Sequence, residues 1–134
     1  MKKSGVLNAD LSRIIATMGH TDKLVVCDCG LPIPGNAEVV DLALTVNIPR
    51  FLDTVRAVLG ELQVEGAIIA EEMESASSGM YHDLATLLGG IKIQRVSHHE
   101  FKRITAAGGN IAFVRTGEAT PYANVILISG VTFA

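Results

Sequence analysis

This chain of 134 residues has no tryptophan, only two tyrosines and four phenylalanines, and charged side chains at 19% of positions. Lys and Arg never gather into a block. A nucleic-acid partner calls for a basic stripe, often with aromatics that stack on bases, so no nucleic-acid partner is expected. Cysteine occurs twice, at Cys27 and Cys29, too few and too close together for a disulfide framework. No apolar run reaches the roughly 18 residues of a membrane span. The start Met1-Lys2-Lys3 is basic, but Asp10 and Arg13 interrupt the apolar stretch that a signal peptide requires. The expected location is cytoplasmic, away from membranes. Also missing are the G-x-G-x-x-G and Walker A phosphate loops, the G-x-S-x-G nucleophile elbow, and a second Cys/His pair at zinc spacing. Any chemistry is therefore expected to be proton transfer with no cofactor and no metal.

What is present is apolar. Hydrophobic residues make up 49% of the chain and the formal net charge is −3. The length suits one domain, residues 1–134, able to bury a core without staples. A small domain with this apolar excess commonly hides part of it between subunits, so an oligomer is expected.

Periodicity gives an alternating order of elements. Asn8 is placed to cap a helix with Leu11, Ile14, Ile15 and Met18 on one face, and Gly19 is suited to a left-handed stop. Strands are predicted over 24–27, 39–46, 66–70, 91–96, 111–114 and 125–128. Further helices are predicted from Pro49, over 77–88, and from His98, where Ser97 and Glu100 have capping-box spacing. Gly89-Gly90 and Gly108-Gly109 punctuate the last two. The fold class is α/β: a mostly parallel or mixed sheet covered by helices. The final two strands, joined without a helix, are expected to be antiparallel or to form an edge feature. Ligands of such sheets bind beyond the carboxyl ends of strands, where Asp28 and Arg115 fall.

Two polar, turn-rich segments at opposite ends of the chain carry the candidate chemistry. In the first, His20 follows Gly19 and precedes a buried strand that ends at Asp28. An imidazole ordinarily titrates near pH 6.5 and both gives and takes protons; the plainer alternative is a helix-end residue satisfying orphan carbonyls. Asp28 either orients His20, binds a hydroxyl, or simply bonds its own turn before Gly30. In the second, Tyr122 and Asn124 flank Ala123 after Pro121 and, if extended, point the same way. A phenol and an amide at that spacing suit a polyhydroxylated ligand, though core packing and a turn explain them too. His98 and Lys102 share a helix face. The helix dipole disfavours imidazolium at the first turn, leaving a neutral donor or acceptor; a solvated face is the commoner outcome for such a pair. Glu71, Glu72 and Glu74 read as a solvated loop, and Cys27 as a small apolar strand residue.

Taken in order, Gly19-His20-Thr21-Asp22-Lys23, Asp28-x-Gly30-Leu31-Pro32-x-Pro34, Ser97-His98-x-Glu100-Phe101-Lys102 and Arg115-Thr116-Gly117-Glu118-x-Thr120-Pro121-Tyr122-Ala123-Asn124 resemble the D-ribose pyranases and their L-fucose mutarotase relatives, over nearly the whole chain. The wording favours the ribose branch. The resemblance implies an enzyme that interconverts the pyranose and furanose forms of free D-ribose. It implies His20 as proton donor, with sugar contacts from Asp28, His98, Tyr122, Ala123 and Asn124 and with Lys102 close by. It also implies a homodecamer of two stacked pentamers. It assigns no catalytic role to Arg115 or Glu118, and Cys27 and Cys29 lie outside its pattern. A mutarotase for another sugar such as L-fucose, and a non-catalytic sugar-binding partner of a ribose transporter, remain the competing readings.

Overall fold

The computed structural model describes residues 1–134. Asn8 accepts the Leu11 N–H through its side chain and opens α1 (Ala9–Thr17), which buries Leu11 and Ile14. Then follow β1 (Lys23–Cys27), β2 (Glu38–Asp41), α2 (Phe51–Leu59), β3 (Val64–Ala70), α3 (Glu72–Ala76), α4 (Ser78–Leu88), β4 (Lys92–Val96), α5 (His98–Ala106), β5 (Ile111–Arg115) and β6 (Val125–Ser129). The strands form one six-stranded sheet in the order β2-β5-β1-β6-β3-β4. Every pairing is parallel except those of β6, which runs antiparallel to both β1 and β3. This is the α/β architecture with a mixed sheet expected from the alternating pattern. No helix is long and apolar enough to cross a membrane.

Alternation along the central strands sends side chains to two cores. Leu24, Val26, Ala67, Ile69, Val114, Val125 and Leu127 meet α1, α2 and α4 on one face. Val25, Cys27, Ile68, Phe113 and Ile126 meet Phe101 of α5 on the other. Burial pushes the Cys27 thiol up to about 12, so it is an inert packing group.

Four expectations change. The strand drawn over 39–46 stops at Asp41, and residues 42–48 leave the sheet as a tight excursion with Asn47 at φ 63°. It folds onto Gly117, which accepts the Asn47 N–H; a side chain there would collide with the Thr45 and Ile48 carbonyls. Leu44, Val46 and Ile48 are left exposed. The acidic run after β3 is a short helix, α3, because Met73 is fully buried beneath it. Gly19 is not the left-handed stop: α1 ends in extended geometry at Met18, and Thr21 takes the positive φ, 71°, with its N–H bonded to Ser129. Most consequentially, β6 runs antiparallel to β5, as one of the two expectations for the final strands had it, but does not pair with it and is no edge. It is inserted at the centre, where both faces of an apolar strand find cover.

Ile126 is fully buried on β6 between two neighbouring strands. Ile126→Ala should cost about 2–5 kcal/mol, read as a lower urea midpoint at fixed protein concentration.

Candidate functional site

The insertion of β6 brings the chain segment before it, residues 116–124, to the carboxyl ends of β1 and β3. Asp28 leaves β1 there. Asn124, fully buried, accepts the Asp28 N–H through Oδ1 at 2.9 Å and donates from Nδ2 to Asp28 Oδ2 at 3.2 Å. Asp28 Oδ1 takes the Gly30 N–H at 3.0 Å. The turn-forming reading of Asp28 therefore holds. Each of its oxygens still has acceptor capacity, since an ionised carboxylate offers about four lone-pair sites.

Tyr122 has φ 63°, in the left-handed region that a bulky residue seldom enters. The segment is thus a turn rather than extended, and the expectation that Tyr122 and Asn124 point the same way fails. Tyr122 turns to the rim and meets the His98 ring edge-on, with centroids 5.0 Å apart. Ala123 and Asn124 go into the core. His98 opens α5, where Ser97 caps the helix through the Glu100 N–H as its spacing predicts. A cavity of about 430 Å³ results, lined by Asp28, His98, Lys102 and Tyr122 together with the 29–32 and 118–121 turns.

Two carboxylates that the sequence did not single out for this purpose hold the walls. Glu72 of α3 accepts the His98 N–H with both oxygens, at 3.0 and 3.1 Å, meeting an otherwise orphan donor at the positive end of α5. Glu118, 1% exposed at its side chain, accepts from the Phe51 N–H, Arg50 Nη1 and Thr120 Oγ1. It thereby starts α2 at Phe51 rather than at Pro49. Burial alone would raise the Glu118 pKa, but hydrogen bonds from Phe51 and Thr120, with the Arg50 charge, hold it below the usual carboxylate range. Arg115 bonds Asp41 and the Cys29 carbonyl, tying the 28–32 turn to β2. Both residues shape loops. The Glu118-x-Thr120 spacing is the one local hint in the sequence, because the other partners of Glu72, Glu118 and Arg115 lie 26 to 86 positions away.

Burial is the main influence lowering the His98 pKa, followed by the Lys102 charge, against opposing pulls from Glu72 and Asp28. That shift is in the direction of the neutral imidazole expected from the sequence, with desolvation as its leading cause. Its Nδ1 is buried without a partner.

His20 is not in this cavity. It precedes β1 and Asp28 follows it, so they stand at opposite ends of a strand on the order of 17 Å long. Within one chain Asp28 does not orient His20; Glu65 does, with Nε2 and Oε2 2.9 Å apart. A larger concavity of about 700 Å³, lined in part by Met18, Asp22 and Lys23, lies at that other end. No three or more His, Cys, Asp or Glu side chains gather as a metal site.

Residues 1–132 match the RbsD / FucU transport protein family. The chain belongs to the RbsD / FucU family. Among RbsD / FucU relatives, the D-ribose pyranase of Coprothermobacter proteolyticus is 55% identical over 133 residues, spanning 99% of this chain and all of the relative. The D-ribose pyranase of Laribacter hongkongensis is 52% identical over the same shares. The structure of Bacillus subtilis RbsD complexed with D-ribose has a TM-score of 0.93 at 42% identity, covering 99% of this chain and 100% of that one. A Streptococcus pneumoniae fucose mutarotase in complex with L-fucose, 20% identical with a TM-score of 0.82, shares the RbsD / FucU fold.

Asn124→Ala should leave the Asp28 N–H and carboxylate without their partner, costing about 1–3 kcal/mol. Amide hydrogen exchange should lose protection first across residues 28–32. The lowered His98 pKa also sets a pH dependence. Below about pH 6.5, the ordinary histidine value, the unfolded chain takes up this proton before the folded one does. Stability should therefore fall as pH drops from there toward the lower folded value, and His98→Gln should remove that part of the slope in urea midpoints measured from pH 7.5 to 5.

Proposed function

We propose that this protein is a D-ribose pyranase, converting free D-ribose between its pyranose and furanose rings without a cofactor. The observation that carries the proposal is full-length identity of about half with curated pyranases, on a chain whose strand ends enclose a cavity lined by a phenol, an imidazole, an ammonium and a carboxylate. That set offers hydrogen bonds to hydroxyls and holds no phosphate loop. The much lower identity to the fucose mutarotase favours ribose over L-fucose.

Ring exchange is a pair of proton transfers. As the C1–O5 bond of the pyranose breaks, O5 gains a proton and the O1 hydroxyl loses one, giving the open aldehyde. Rotation lets O4 attack C1, O4 loses its proton and O1 regains one. His20 is the proposed donor to the ring oxygen in opening and acceptor in closing. One placed acid–base group contributes roughly 10²–10⁴-fold, a scale that fits a reaction already proceeding in water. Asp28, His98, Lys102 and Tyr122 hold hydroxyls. Asn124 acts by fixing Asp28, and Ala123 offers the sugar only its backbone.

Because His20 and the cavity lie at opposite ends of β1, each site takes His20 from a neighbouring copy. Exposed Leu44, Val46 and Ile48 supply apolar surface for association, and the assembly we favour is the decamer of two stacked pentamers implied by the family resemblance. The proposed location is the cytoplasm, where free ribose arrives by uptake.

Exchange NMR on ribose tests the function. His20→Ala should lose most of the acceleration while calorimetric ribose affinity falls little; Tyr122→Phe and Lys102→Ala should lose affinity first. Hybrid oligomers reassembled from equal parts His20→Ala and a cavity variant, Asp28→Asn, should regain up to about a quarter of wild-type activity through statistical pairing of intact halves. Full activity of His20→Ala would refute the acid–base assignment, and hybrids as inactive as their parents would refute the shared site.

A further inference from the structure

We infer that Glu65 is the positioning carboxylate of His20, fixing which ring nitrogen exchanges protons with the sugar. This rests on the proposed role of His20. Glu65 Oε2 lies 2.9 Å from His20 Nε2. An ionised carboxylate only accepts, so Nε2 carries the hydrogen and the neutral ring leaves the Nδ1 lone pair free. Nδ1 is then the atom that takes a sugar hydroxyl proton and returns it to the ring oxygen; Nε2–H stays on Glu65 throughout, and nothing else is exchanged.

Three features of the fold converge on this contact. First, Glu65 sits where the pairing of β3 with β6 slips register, between Val64 and Gly66. Such a bulge re-aims one side chain out of the ladder. Second, Gly130, just past β6, leaves room for it: a Cβ there would stand 3.1 Å from the Glu65 Cβ and 3.6 Å from Oε2. The Gly130 N–H holds the adjoining strand through the Gln63 carbonyl at 2.8 Å. Third, the His20 turn is fastened to the same strand end. The Thr21 N–H donates to Ser129 O, the Ser129 N–H to Asp22 O, and the Gly19 N–H to Asp22 Oδ2, each at 2.8 Å. His20 and Glu65 are both exposed in the single chain, at 55% and 44% of their side chains. An exposed pair of this kind adds little stability, so the bulge and the glycine are not explained by folding alone. Orientation of a reactive imidazole explains them.

The test uses the assembled wild-type protein, Glu65→Ala, Glu65→Gln, His20→Ala and the double variant His20→Ala/Glu65→Ala, with oligomeric state checked by sedimentation velocity. Exchange NMR gives kcat and KM for ribose, and ¹⁵N shifts of the His20 ring report its tautomer. Wild type should show hydrogen on Nε2. Glu65→Ala should mix the tautomers and lower kcat about tenfold or more, as loss of a charge-assisted hydrogen bond predicts, with KM nearly unchanged. Glu65→Gln, which keeps an acceptor without the charge, should recover part of both. In the His20→Ala background, Glu65→Ala should cost nothing further. An inactive His20→Ala beside a Glu65→Ala protein with wild-type kcat and tautomer overturns the inference while sparing the role of His20. A further loss in the double variant overturns it as well. Full activity of His20→Ala instead removes the reading on which it stands.

Discussion

The antiparallel insertion of β6 between β1 and β3 is the constraint on which the rest of this molecule depends. A strand placed centrally must be apolar on both faces, and Val125, Ile126 and Leu127 are fully buried. Because β6 runs against its neighbours, its start lies beside their carboxyl ends and its finish beside their amino ends. Tyr122, Ala123 and Asn124 are delivered to Asp28 at one end. Ser129 and Gly130 are delivered to the His20 turn and Glu65 at the other. One five-residue strand thereby organises both the cavity end of the sheet and the end that carries His20 and Glu65.

The two ends are built differently. At the cavity the wall-forming polar groups are paired, Asn124 with Asp28, Glu118 with the start of α2 and Glu72 with the start of α5, and His98 Nδ1 alone is buried without a partner. A carboxylate buried without such partners would be costly, so these contacts rigidify the walls while leaving Tyr122, Lys102 and one edge of His98 for a ligand. At the other end, His20 and Glu65 are exposed, and the turn beneath them is held by backbone hydrogen bonds. The apolar excursion at residues 42–48 leaves Leu44, Val46 and Ile48 exposed.

This division also orders the roles of the residues. Tyr122 and His98 touch each other across the cavity rim and both line the cavity. Asn124 carries an amide that looks suited to sugar binding, yet it is spent on Asp28, so its influence on a ligand passes through the carboxylate. Ala123 is a core residue whose importance is its backbone path.

Much of the outline was legible in the sequence. Local signals act over three or four residues, so Asn8 and Ser97 marked helix starts, Gly89 and Gly108 marked helix ends, and the apolar runs marked the strands. The ordered motifs indicated the family, whose model matches residues 1–132, and they name the residues proposed for the site. What the sequence left open depends on partners far apart in the chain. Where β6 enters the sheet is decided by burial of both its faces, which no local pattern reports. The direction of Asn124, the positive φ of Tyr122, the capping of α2 by Glu118 and of α5 by Glu72, and the attachment of His20 to Glu65 rather than Asp28 all follow from contacts that exist only once the strands are in order. The residues themselves were readable from the chain; their grouping at two opposite ends was decided by the tertiary structure, because hydrogen bonds and close packing act through space and the direction of a single central strand determines which segments come within their reach.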